Sequence, residues 1–240
     1  MPHDMTLALD APGSRAEDLV EQMILDRAPR LAQRPQLWRL VRAFGYPLLG
    51  YRDAVDLVEA VAPLTADETF AWGEAMLKLR VETAGLEHVP ADGPVVIIGN
   101  HPGGIADGVA LWTAIKHRRP DLCFLANRDA LKVSPGLSDR IIPVEWRRNA
   151  ESRQRSRETL RGAMEALNQG RCLTVFPAGR MADWSWRKWR IAEPAWAPTA
   201  ISLARRFNAP VVAMGVTQTM PLLYYALAQL HEELRDITIF

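Results

Sequence analysis

A histidine stands where a run of β-branched residues gives way to a pair of glycines. Val95–Gly99 reads VVIIG, and Asn100, His101, Pro102, Gly103, Gly104, Ile105, Ala106 and Asp107 follow it. A carboxylate that accepts one imidazole N–H fixes the ring's tautomer and stabilises the imidazolium. The second ring nitrogen can then take a proton from an attacking hydroxyl or amine. Gly103 and Gly104 would let backbone N–H groups come close to a substrate oxygen or phosphate. The same spacing also suits a histidine that closes a turn and an aspartate that caps a helix, so the pattern alone leaves both readings open. There is no Gly-x-Ser-x-Gly elbow and no cysteine beside a motif, which weighs against a covalent nucleophile. No Walker loop and no Gly-x-Gly-x-x-Gly after a strand favours a nucleotide-binding fold.

A second stretch has the same layout. CLTVFPAGR, residues 172–180, is an apolar run ending in a turn at Pro177 and Gly179, with Arg180 at its rim. A backbone turn with a guanidinium at a strand end suits a phosphate or an oxyanion, and equally an ordinary turn with a solvated arginine. Two further stretches stand out by composition. WSWRKWRIAEPAW, residues 184–196, holds Trp184, Trp186, Trp189 and Trp196 with Arg187, Lys188 and Arg190 between them. That is the composition of a segment lying at a membrane interface, or of a lid over a sheet. Residues 145–161 carry six arginines against three glutamates, which fits a solvated helix face or a surface for an acidic partner.

These residues need elements to hold them. VVIIG at 95–99 reads as a strand buried on both faces, with further strands at 122–126, 140–144, 172–176 and 210–216. Helices are expected at 107–117, 151–168 and 198–207, between the strands. Strands separated by helices imply an α/β fold, with a mainly parallel sheet and flanking helices. An α-helical N-terminal region precedes it, with helices expected at 15–30, 35–44, 51–61 and 66–83; Thr65 and Glu68 offer a capping box for the last. Trp38, Val41 and Leu48 show helical spacing there. The expected division is a helical part at 1–90, serving as cap, membrane arm or dimer arm, and an α/β domain at 91–240. The end of the chain, Asp236–Phe240, reads as strand-like.

Composition narrows the class. Of 240 residues, 48% are hydrophobic and 24% charged, which excludes intrinsic disorder. Lys+Arg 29 against Asp+Glu 28 leaves a net charge of +1 and disfavours a general nucleic-acid binder. Cys123 and Cys172 lie far apart without metal-type spacing, so neither a disulfide scaffold nor a zinc site is expected, and a reducing compartment fits. The start has acidic Asp4 and Asp10 and no long apolar core, unlike a secretory signal. The charge-free stretch 209–230 is broken by Pro210, Gly215 and Pro221 and reads as a buried strand followed by a short helix.

Taken in order, the blocks resemble the glycerolipid and lysophospholipid acyltransferase superfamily, in particular its hemolysin-like bacterial branch. Asn100–Asp107 is similar to the Asn-His-x4-Asp block, and Phe176-Pro177-Ala178-Gly179 to the Phe-Pro-Glu-Gly block. Ala209-Pro210-Val211-Val212 is similar to the last block, and Ile141–Arg147 loosely to the arginine-bearing one. The likeness spans roughly residues 75–230. Two departures mark it: five residues separate His101 from Asp107 where the family has four, and Ala178 replaces the family's glutamate, which faces a glycerol-phosphate acceptor.

The resemblance implies transfer of a fatty acyl group from acyl-CoA or acyl carrier protein to a hydroxyl or amine of a lipid acceptor. His101 would be the general base and Asp107 its orienting partner. Gly103, Gly104, Arg147, Pro177, Gly179 and Arg180 would bind substrate, with N–H groups near Gly103 and Gly179 facing the developing oxyanion. No metal or further cofactor and no nucleic acid is implied. The expected setting is cytoplasmic and peripheral, on the inner face of the membrane. A thioester hydrolase, an enzyme for a soluble acceptor, and a catalytically silent member that binds lipid or carrier protein are the alternatives.

Overall fold

The computed structural model describes residues 14–145 and 152–237. Five strands, β1 (Val95–Gly99), β2 (Cys123–Asn127), β3 (Ile141–Val144), β4 (Cys172–Val175) and β7 (Val211–Met214), form one sheet in the order β3-β2-β4-β1-β7. All four neighbouring pairs are parallel, so the fold is α/β as the alternation of strands and helices implies. The two remaining strands, β5 (Asp183–Ser185) and β6 (Arg190–Ala192), make an antiparallel hairpin outside that sheet.

Alternation along β1 divides the core between the two faces of the sheet. Val95 and Ile97 join Phe70, Leu111, Trp112, Ile115 and Phe124 on one face, under the helices Ala66–Met76 and Ile105–Ile115. Val96 joins Cys123, Ala163, Leu167, Leu173 and Leu203 on the other, under the helices Ser152–Asn168 and Thr199–Arg206. A strand with both faces covered must be apolar at every position, and β1 is. β7 differs from the buried strand that the sequence suggests. Among the described residues it pairs only with β1, and Val211 and Ala213 are exposed, as suits a strand with a described neighbour on one side alone.

The N-terminal helices Arg15–Arg27 and Tyr51–Val61 enclose a third apolar cluster built on Val20, Ile24, Leu31, Val55 and Val58, which Ile237 completes from the far end of the chain. The Ala66–Met76 helix packs with the sheet instead. Phe70 stacks on Trp112 and on Phe124, each at 5.4 Å between ring centres. Thr65 and Glu68 form the expected capping box, but the helix stops at Met76, well short of residue 83, and Lys78 turns to φ 49°.

Other expectations need correction. Trp38 and Val41 pack inward, whereas Leu48 faces solvent. Of the Asp236–Phe240 end expected to be strand-like, Asp236 instead closes the helix Glu232–Asp236, where Glu233 accepts the Arg30 and Leu31 N–H groups and ties this end to the N-terminal helices. Residues 238–240 lie outside the described residues. No helix among the described residues is long and apolar enough to cross a membrane.

Candidate active site

Three parallel strands deliver the site from their carboxyl ends, where ligands collect in open α/β sheets. β1 lies between β4 and β7, with Ile98 level with Val175 on one side and Ala213 on the other. The chain leaving β1 therefore carries His101 between the Phe176–Pro177 turn after β4 and the Val216–Gln218 segment after β7. Asn100 locks two of these exits together: its side-chain N–H donates to the Val216 carbonyl at 2.7 Å, and its carbonyl accepts the Val216 N–H at 2.6 Å.

His101 and Asp107 meet. Nδ1 of His101 lies 2.9 Å from Oδ2 of Asp107, whose side chain is 0% exposed. A carboxylate can only accept, so Nδ1 carries the proton and Nε2 keeps its lone pair. No group among the described residues is hydrogen-bonded to Nε2, and the His101 side chain is 22% exposed. Phe176 stacks on the imidazole with 4.3 Å between ring centres and 18° between planes, which holds the ring's plane.

Asp107 is held from three sides. Besides His101, the Gly103 N–H donates to Oδ2 at 2.8 Å and the Gln218 amide donates to Oδ1. Donors directed at a fully buried carboxylate replace the water it has lost. The glycine pair makes this packing possible. A Cβ on Gly103 would lie 2.6 Å from the Gln218 amide nitrogen and 2.8 Å from the Asp107 carboxylate. Gly104 has φ 63° and ψ −130°, a backbone state closed to other residues, and begins the Ile105–Ile115 helix that brings Asp107 back to His101. The fifth residue between His101 and Asp107 is taken up in this turn.

The other sequence-derived positions fare differently. The Gly103 N–H is engaged by Asp107. The Gly179 N–H donates to the Phe176 carbonyl at 3.0 Å and closes its own turn, so it is likewise committed. Pro177 is buried, and its carbonyl accepts the Ala197 N–H at 2.9 Å. Gly104 is the glycine of its pair whose N–H has no partner among the described residues. Arg180 is exposed and lines a cleft of about 270 Å³ with Lys188, Asp183, Trp184, Glu193 and Arg235. Arg147 lies outside the described residues.

The cleft adjoins the histidine turn rather than covering it. His101 is not in its lining, but Glu193 is, and one oxygen of Glu193 accepts the His101 backbone N–H while the other accepts the Trp196 indole N–H at 2.8 Å. Within the cleft, Asp183 pairs with Arg235 at 2.9 Å, which leaves Arg180 and Lys188 as its open cations. Glu193 and Gln218 escaped the sequence reading of the site, and Phe176, quoted there only as part of its block, was given no contact with His101. A polar residue just past a strand's carboxyl end was the available signal for Gln218. Nothing local pointed to Glu193.

The cysteines take no part. Burial pushes the Cys123 thiol up to about 11 and the Cys172 thiol up to about 12, so neither offers a thiolate at neutral pH.

The profile of a family described as Acyltransferase matches residues 80–217. The chain belongs to this glycerolipid acyltransferase superfamily. Within the acyltransferase match lie β1, β4 and β7 with the His101–Asp107 turn and the Phe176–Arg180 turn, and Gln218 falls one residue beyond it. The chain is also 30% identical over 121 residues to a lyso-glycine lipid O-acyltransferase from Phocaeicola vulgatus. The aligned part is 47% of this chain and 41% of the relative, so the match spans less than half the relative's length.

Proposed function

We propose that this acyltransferase moves a fatty acyl group from an acyl thioester, acyl-CoA or acyl carrier protein, to a hydroxyl or amine of a lipid acceptor. The observation that carries the reading is the His101–Asp107 pair, 2.9 Å apart, with no partner on Nε2 among the described residues. Nε2 takes the proton as the acceptor oxygen or nitrogen attacks the thioester carbonyl. Asp107 holds the resulting imidazolium. The tetrahedral intermediate collapses with loss of the thiolate, which takes the proton back from Nε2. No acyl-enzyme forms, since no serine or cysteine among the described residues is hydrogen-bonded to the His101 ring. The Gly104 N–H, which has no partner among the described residues, would meet the oxyanion. A positioned base supplies about 10²–10⁴-fold of rate, or ~3–5 kcal/mol of barrier.

The acceptor's headgroup belongs in the cleft lined by Arg180 and Lys188, where an anionic group meets two open cations. Ala178 removes the carboxylate that the family places at the Phe-Pro-Glu-Gly turn, so a glycerol-phosphate acceptor is disfavoured. The likeness to a lyso-glycine lipid O-acyltransferase supports a lipid acceptor. Trp186 and Trp189, both exposed at the tip of the β5–β6 hairpin with Arg187, Lys188 and Arg190, support a membrane surface as the place where that acceptor is met. Arg153, Arg157 and Arg161 form an exposed row on the Ser152–Asn168 helix that suits an acidic carrier protein as donor.

The test is thioester consumption by the purified protein with acyl-CoA or acyl carrier protein, with and without a panel of lyso-lipids. Acceptor-dependent consumption with one lyso-lipid class is expected. Consumption that ignores the acceptor identifies a thioester hydrolase, and none with any donor identifies a silent lipid-binding or carrier-binding member.

A further inference from the structure

Between Asp26 and Asp53 the chain has no acidic residue and six arginines, at 27, 30, 34, 39, 42 and 52. This stretch contains a continuous helical run from Pro35 to Leu48, which widens into a π turn at Val41–Gly45. The widening accommodates Pro47, which lacks an amide for the helical ladder and would crowd the turn before it. Trp38, Val41, Tyr46 and Leu49 pack inward on the N-terminal core. A helix with one face against its own protein ordinarily presents polar residues on the other. Here the outer side carries Leu37, Leu40, Phe44 and Leu48, exposed by 40, 54, 71 and 72%.

Cations flank these side chains. Arg34 and Arg39 are exposed and have no ion pair among the described residues. Arg42 and Arg52 reach Glu21 and Glu17 only at 3.6 and 3.5 Å, and both remain more than half exposed. Large apolar side chains exposed between arginines, with no acid along the stretch, match one environment well: the boundary between headgroups and acyl chains of an anionic bilayer. Arginine stems lie along the apolar zone while their heads reach lipid phosphates. A second copy of this chain fits poorly, because a two-fold contact through this face sets arginine against arginine.

We propose that Pro35–Leu48 docks this protein on anionic membrane surfaces, with Leu37, Leu40, Phe44 and Leu48 entering the lipid and the neighbouring arginines meeting its charge. This extends the membrane reading above to a second, separate segment and does not require acyl transfer to be correct.

The test is sedimentation of the full chain with phosphatidylcholine vesicles, with and without phosphatidylglycerol. The wild type is expected to partition onto the anionic vesicles, and to release as salt screens the arginines. The Phe44→Asp/Leu48→Asp double variant is expected to lose about tenfold or more of that partitioning even with the tryptophan hairpin intact. Its melting temperature and its acyl transfer to a detergent-dispersed lyso-lipid are expected to stay unchanged. Should that variant fail to fold, Arg34→Gln/Arg39→Gln must lower anionic-vesicle binding while sparing the fold. Equal binding by the variants, or equal binding of the wild type to neutral vesicles, overturns the proposal. So does a dimer that Phe44→Asp/Leu48→Asp dissociates while vesicle binding persists, or preferential capture of an oligonucleotide. A wild type that binds vesicles but transfers no acyl group ends the acyltransferase reading and leaves this one standing.

Discussion

Asp107 has no solvent contact, yet three parts of the chain converge on it: the His101 ring, the Gly103 amide and the Gln218 side chain. Replacing it by asparagine keeps the shape and removes the charge. The new NH₂ must then confront either the Nδ1–H of His101 together with the Gly103 N–H, which share Oδ2, or the Gln218 amide at Oδ1, and the imidazolium loses its counter-charge. Asp107→Asn is expected to lower turnover by about 10²–10⁴-fold with a folded protein, as read by steady-state kinetics and circular dichroism. A change within threefold would remove Asp107 from the mechanism. His101 and Asp107 were legible as candidates because six positions and a glycine pair join them locally. Gln218 and Glu193 were not, because they approach from 111 and 92 positions away through strand order and a hairpin, which no local periodicity records.

At the scale of elements, the strands of the sheet were legible to within about two residues, since buried parallel strands announce themselves as short β-branched runs. The β5–β6 hairpin was not. Its strands are three residues each, Trp189 at its turn takes φ 50°, and its tryptophans obscure any alternation. The sheet also depends on a clamp at its opposite end. Arg119, almost fully buried, donates to the carbonyls of Pro90, Gly93 and Gly170 and to both oxygens of Asp121. Arg119→Ala strands those acceptors and is expected to destabilise the fold by about 3–5 kcal/mol in thermal or denaturant unfolding. A loss below about 1 kcal/mol would show the clamp to be dispensable. Burial alone would raise the Asp121 carboxyl, but the Arg119 hydrogen bonds and charge outweigh it and hold it below its usual 3.8. A depressed carboxyl stabilises the fold above its unfolded value and loses that stabilisation as pH falls through the folded one. The wild type should therefore lose stability below about pH 4. Asp121→Asn should start lower and fall less steeply.

Across the described residues, specific polar contacts join the α/β core, the N-terminal helical cluster and the hairpin. Arg235 reaches Asp183 at 2.9 Å, Trp186 donates to Gln229 at 2.5 Å, and Arg30 pairs with Glu232 at 2.9 Å. The chain's last described helices thereby connect the tryptophan hairpin beside the cleft with the arginine-rich N-terminal segment. Composition concealed this arrangement: a net charge of +1 averages over an acid-free run of arginines and a cationic hairpin. Family likeness, in turn, was legible only from the order of the blocks, because each block by itself is an ordinary strand-end turn.

One comparison bears on all of this most directly: the rate of acyl transfer from a thioester donor to the acceptor lipid by the wild type and by His101→Ala. The imidazole is partly exposed and supports no core cluster, so the variant should melt as the wild type does. Its turnover is expected to fall by about 10²–10⁴-fold, the contribution of a positioned base. A His101→Ala protein that transfers acyl groups at a near-normal rate would contradict the assignment of this ring as the base.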